Sequence, residues 1–102
     1  MAAVRPLTVR WTARARLQLL SIQDYVAARN PAAAKRIGEA LKAAVLLLKD
    51  LPNAGRAGTA EGTREWVVRG MPYIIVYKLR EEMGELHILG IFHQRQKRPS
   101  GK

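Results

Sequence analysis

Two histidines, eight carboxylates and eighteen lysines and arginines are the chain's inventory for chemistry, with no cysteine to add a thiolate or a thiolate-bound metal. Cleaving a phosphodiester through a neighbouring hydroxyl needs a base, cations for the extra phosphoryl charge and an acid for the leaving oxygen. His87 and His93 are six residues apart, so on one regular strand they share a face but sit roughly 20 Å apart, too far for a two-histidine acid/base pair. His93 and Arg95 are better placed. Two residues apart, they share a face at roughly 7 Å if the strand continues, setting a proton carrier beside a phosphate ligand. The competing reading makes His93 a hydrogen-bonded strand end. Glu65 is a candidate base, with Arg64 and Arg69 as candidate phosphate ligands. Their opposite parity directs those two arginines to opposite faces of a regular strand.

Other constellations fail on spacing. Gly55-Arg-Ala-Gly58 lacks the Gly-Lys-Ser/Thr ending of a phosphate loop. Ser21 and Ser100 have no nucleophile-elbow context, and Glu81-Glu82 has no histidine nearby to complete a metal site. No metal and no cofactor is expected. Trp11 and Trp66 lie in apolar strands and read as core or interface anchors rather than base-stacking platforms.

The net charge of +10 favours an anionic partner, nucleic acid or an acidic protein. Arg5, Arg10, Arg14 and Arg16 precede the first acidic residue, Asp24, and Arg95, Lys97, Arg98 and Lys102 follow the last, Glu85. Chain ends that lie close together would merge these cations into one region. The apolar share of 48% is that of a globular chain. A length of 102 residues accommodates a single domain, 1–102. The absence of cysteine, of an export signal and of a run long enough to span a bilayer leads to a cytoplasmic protein with no membrane partner.

The elements that must position these residues follow from periodicity. Leu7 to Trp11 alternates as a strand. Thr12 caps a helix whose stripe is Ala15, Leu19, Ile22 and Val26, ending near Ala28. Asn30-Pro31 restarts a second helix with the stripe Ile37, Leu41, Ala44, Val45 and Leu48, ending before Pro52. Pro52 to Thr63, with three glycines, reads as a loop. Strands follow over 64–69, 73–79 and 86–92, the last two interior, paired as antiparallel hairpins. The expectation is an α+β fold of order β-α-α-β-β-β, with a helical hairpin on one face of a small, mainly antiparallel sheet. Function is expected on the other, partly open face. Residues 94–102 read as a mobile basic tail.

The order and spacing of several segments resemble the RelE/ParE superfamily of type II toxin–antitoxin toxins. They are Asp24-Tyr-Val-Ala-Ala-Arg-Asn-Pro31, Leu51-Pro-Asn-Ala-Gly-Arg56, Gly62-Thr-Arg-Glu65, Tyr73-Ile-Ile-Val-Tyr77 and Ile91-Phe-His-Gln-Arg-Gln96. The pattern looks most like the ParE branch, which implies inhibition of DNA gyrase on DNA and an acidic, partly disordered antitoxin. The alternative it implies is a RelE-like endonuclease that cuts mRNA on the ribosome, with His93, Arg95, Glu65 and Arg64 as the fallback site. That branch places a basic residue where this chain has Ile74 and a tyrosine near the carboxyl terminus, where this chain has none after Tyr77. The resemblance therefore implies no catalytic residues, and a target- or antitoxin-binding set of Arg64, Arg69, His93, Arg95, Lys97 and Arg98.

Overall fold

The computed structural model describes residues 6–98. Strand β1 (Thr8–Trp11) leads into helix α1 (Ala13–Ala27) and helix α2 (Pro31–Asp50), followed by β2 (Arg56–Ala57), β3 (Arg64–Val67), β4 (Tyr73–Arg80) and β5 (Glu85–His93). The sheet order is β1-β5-β4-β3-β2, with β1 parallel to β5 and every other pair antiparallel. The expected α+β arrangement holds, and β4 and β5 are interior. The 52–63 segment is not all loop, because Arg56 and Ala57 add a two-residue edge strand to β3. No alternation could mark so short a piece. Strand β3 also stops at Val67, short of the expected Arg69.

Both helices start where side chains can satisfy their free N–H groups. The Thr12 hydroxyl accepts from Ala15 N–H and donates to the Ile88 carbonyl at 3.0 Å, which ties the start of α1 to β5. Asn30 Oδ1 accepts from Ala33 N–H, and Pro31 occupies the first helical position, where no donor is needed. The α2 stripe Ile37, Leu41, Ala44, Val45 and Leu48 is buried with Ala15 of α1 against Ile75, Tyr77, Leu86, Ile88 and Ile91 of the sheet. Each fully buried aliphatic side chain contributes about 2 kcal/mol by leaving water.

The sheet carries one irregularity that moves side chains between faces. Val76 pairs with Gly90, but Tyr77 pairs with Ile88, so Leu89 bulges out without a partner. Before the bulge Leu86 and Ile88 face the helices; after it Ile91 does, while Leu89 and Phe92 lie on the opposite face with Ile74 and Val76. His87 and His93 therefore point to opposite faces, against the parity argument from sequence. Gln18 of α1 accepts the Ile91 N–H at 2.9 Å just beyond the bulge. Replacing Gln18 by Ala is expected to cost about 1–2 kcal/mol in urea unfolding, the penalty of a partly buried donor left unpaired.

Candidate functional site

The face of the sheet away from the helices is built from alternate residues of four strands. Its centre is apolar: Ile74, Val76 and Phe92 are buried and packed with Leu89. The guanidinium of Arg14, in the first turn of α1, sits 5.5 Å from the centre of the Phe92 ring. A shallow depression of about 350 Å³ lies here, with Thr12, Arg14, Thr63, Val76, Leu89 and Phe92 among its lining residues.

On one side of this centre stands Glu65 of β3, a buried charged residue at 4% exposure. Its Oε1 accepts from Arg56 Nη2 at 3.2 Å and its Oε2 from Arg98 Nε at 2.9 Å. Arg98 also donates to the Gln96 carbonyl. Residues 94–98 of the expected tail thus make defined contacts, beginning with Gln94 N–H to the Pro72 carbonyl, while 99–102 lie outside the described residues. A carboxylate already holding two guanidinium groups is a poor general base, and Glu65 is corrected from candidate base to buried counter-ion.

On the other side is a second charged group. Glu85 of β5 accepts from Arg10 Nε of β1 at 3.0 Å and meets His87 Nε2 at 2.8 Å. The hydrogen bond from His87, then that from Arg10, holds the Glu85 carboxyl below its ordinary value of 4.5. A depressed carboxylate contributes stability above its unfolded value, and that contribution disappears as the pH falls through the folded one. Thermal midpoints are therefore expected to drop as the pH falls below about 4.5, and Glu85→Gln to flatten that drop.

The sequence-derived catalytic set is not assembled. Strand β5 ends at His93, and the chain turns there: Gln96 N–H reaches the His93 carbonyl, and Arg95 N–H donates to His93 Nδ1 at 3.1 Å. Arg95 does not continue the strand beside His93, as the two-residue spacing assumed. The His93 ring meets the edge of Tyr73 on the helix-covered face, opposite Glu65. Arg64 donates to the Gly55 carbonyl at 2.8 Å and the Asn53 carbonyl at 3.4 Å, so it braces the loop before β2. Arg69 lies exposed beyond β3, while Arg95 and Lys97 are exposed in the closing turn. Arg10 and Arg98 share the open face, but β1 and β3 are three strand spacings apart, about 14 Å. Of the terminal cations, Arg10, Arg14 and Arg98 are spread across this face rather than gathered in one cluster, and Arg5 and Lys102 lie outside the described residues. The sequence signal for the Glu85-His87 pair is the carboxylate two residues before His87, a spacing passed over when His87 is weighed against His93 alone.

A family model described as the ParE toxin of the type II toxin–antitoxin system, parDE, matches residues 9–98. The chain belongs to the ParE toxin family. Toxin RelE2 of Caulobacter vibrioides is 41% identical over 85 residues, covering 83% of this chain and 92% of the relative. The Sinorhizobium fredii protein Y4kP is 36% identical over 91 residues, covering 89% and 92%. Among solved structures, the chromosomal ParDE system of P. aeruginosa superposes with a TM-score of 0.77 at 23% identity, covering 86% of this chain and 96% of that one. The toxin–antitoxin complex RelBE2 of Mycobacterium tuberculosis gives 0.62 at 26% identity, covering 87% and 99%. This ParE-family chain is a type II toxin of the RelE/ParE superfamily, and its two helices on a mixed five-stranded sheet are the fold of those neighbours.

Proposed function

We propose that this ParE-family toxin inhibits DNA gyrase by occupying the enzyme–DNA complex, cuts no nucleic acid itself, and is held inactive in the cytoplasm by an acidic antitoxin. The observation that carries this reading is Ile74. At 1% exposure it packs with Val76 and Phe92, an aliphatic residue where the resemblance to phosphate-cutting relatives implies a cation. Glu65 is consumed by two arginines, and His93 stands on the opposite face. The candidate set drawn from the sequence therefore offers charge and shape rather than proton transfer. The antitoxin is supported by the similar ParDE system and RelBE2 toxin–antitoxin complex and by Leu17 and Leu20 of α1, 65% and 54% exposed, which suit an amphipathic partner helix.

A supercoiling assay with purified toxin tests the proposal: micromolar toxin is expected to inhibit gyrase, and normal supercoiling alongside growth arrest in cells would discard it. The endonuclease reading is kept in view by the RelE names of two similar proteins. For it, 5′ ends of translated mRNA would show codon-phased cuts abolished by His93→Ala. On the gyrase reading no such cuts appear, with or without His93→Ala.

A further inference from the structure

From the row of basic side chains across the open face, we infer that Arg10, His87 and Lys78, with Arg14 farther along the same face over Phe92, form a seat for the phosphodiester backbone of duplex DNA. This deepens the gyrase reading and rests on it, because it makes DNA, not only the enzyme, a direct contact of the toxin.

The register places the three groups in a row. His87 of β5 is opposite Arg10 of β1 on one side and Lys78 of β4 on the other. Adjacent strands are about 5 Å apart, so the row spans about 10 Å across the sheet. The bulge at Leu89 gives this arrangement its setting: it lets His87 stand on the open face while Ile91 turns back into the core. Bulges commonly re-aim side chains in this way beside functional sites.

The charges of the row are available to a ligand. The Glu82 carboxyl, held below its ordinary value by its own backbone N–H, by Arg80 and, least, by Lys78, is itself paired with Arg80. Glu85 is paired with Arg10 Nε and hydrogen-bonded to His87 Nε2. Arg10 spends only its Nε there, and its side chain remains 65% exposed. Among the described residues, Lys78 and Arg14 enter no ion pair. The Lys78 stem runs beside Gly62, whose own φ of +77° admits no side chain without strain, and a Cβ there would stand 3.4 Å from Lys78 Cε. Arg14 is fixed over Phe92 on the first turn of α1.

The position of the row selects the ligand class. An extended acidic peptide is recognised through free strand edges; β1, which carries Arg10, is such an edge, but His87 and Lys78 stand on β5 and β4, interior strands with neighbours on both sides. On the flat of the sheet only side-chain charge is offered. That suits a polyanion whose charges lie outside along its backbone.

Fluorescence anisotropy with a 20-base-pair DNA duplex tests the seat on the intact toxin without gyrase. The triple variant Arg10→Gln, Arg14→Gln, Lys78→Gln is expected to lose about 100-fold in affinity at low salt and to reduce the slope of log K against log salt by about 3. A control with the same change in net charge, Lys35→Gln, Arg36→Gln, Lys42→Gln on the exposed side of α2, is expected to lose less than tenfold. Equal losses in the two triples would overturn the inference, as would displacement of the duplex by polyglutamate as readily as by unlabelled DNA. Tighter binding of a single-stranded RNA of the same length would overturn the assignment to DNA. If the triple variant unfolds, Lys78→Glu alone, which removes no ion pair, is expected to weaken binding at least tenfold; unchanged affinity would count against the seat. Duplex binding that behaves as expected while wild-type toxin leaves supercoiling untouched would end the gyrase reading but not this one. Gyrase inhibition with equal losses in both triples would do the reverse.

Discussion

Tyr77→Phe is expected to lower the thermal midpoint by about 10 °C, corresponding to about 2 kcal/mol, although it removes one oxygen atom from a side chain on the helix-covered side of the sheet. Tyr77 is fully buried in the middle of β4. Its hydroxyl donates to the Pro52 carbonyl at 2.7 Å and accepts from the Gly55 N–H at 2.9 Å. Burial raises its pKa, so the hydroxyl stays protonated and keeps its donor role through neutral pH. Phenylalanine would strand a buried backbone donor and a carbonyl together, and each unpaired group costs about 1–3 kcal/mol. Gly55 is part of the same clamp: a Cβ there would meet Tyr77 Oη at 2.6 Å and the Glu65 carbonyl at 2.9 Å. Gly55→Ala is therefore expected to cost at least as much as Tyr77→Phe. The two changes together should cost less than their sum, because the first clash is with the oxygen the second removes. Urea unfolding of the four proteins measures this; strict additivity would mean that the clamp does not exist as drawn.

The clamp also explains what was legible in the sequence. Leu51-Pro-Asn-Ala-Gly-Arg56 and Tyr73-Ile-Ile-Val-Tyr77 carried the family resemblance without a visible reason. The structure joins them, since Pro52, Gly55 and Tyr77 share one hydroxyl and Arg64 braces the same loop. The helices were legible because their caps and stripes are local: Thr12, Asn30-Pro31 and the five apolar positions of α2 each act within a few residues. The site was not, for two physical reasons. Period-2 parity holds only while the ladder is regular, and a single bulged residue, Leu89, moved His93 to the face opposite His87. The partners of a charged residue are set by tertiary register: Glu65 lies 33 residues from Arg98, and Glu85 lies 75 from Arg10. Glu65 and His93, both candidates for proton transfer in the sequence, consequently stand on opposite faces of the sheet.

Arg98→Ala is expected to destabilise the toxin by about 2 kcal/mol, an unusual cost for a residue so near a chain end, whereas Arg56→Ala should cost less than about 1 kcal/mol. Both arginines bind the Glu65 carboxylate, but their surroundings differ. The side chain of Arg56 is 58% exposed, that of Arg98 17% and that of Glu65 3%. Water can replace much of what Arg56 provides, since its end of the pair is screened already. It cannot readily replace Arg98, and removing that guanidinium leaves a buried carboxylate with half its compensation. The sign of a second substitution distinguishes this account from simple loss of packing by the tail. Glu65→Gln alone should destabilise, because it weakens two charge-assisted hydrogen bonds. Added to Arg98→Ala, it should restore stability, because it removes the uncompensated charge that makes Arg98→Ala costly. Urea midpoints of the single and double variants decide the matter. If the double variant is less stable than Arg98→Ala, the carboxylate is not the origin of the cost, and residues 94–98 are held by the backbone bonds at Gln94 and Gln96 instead.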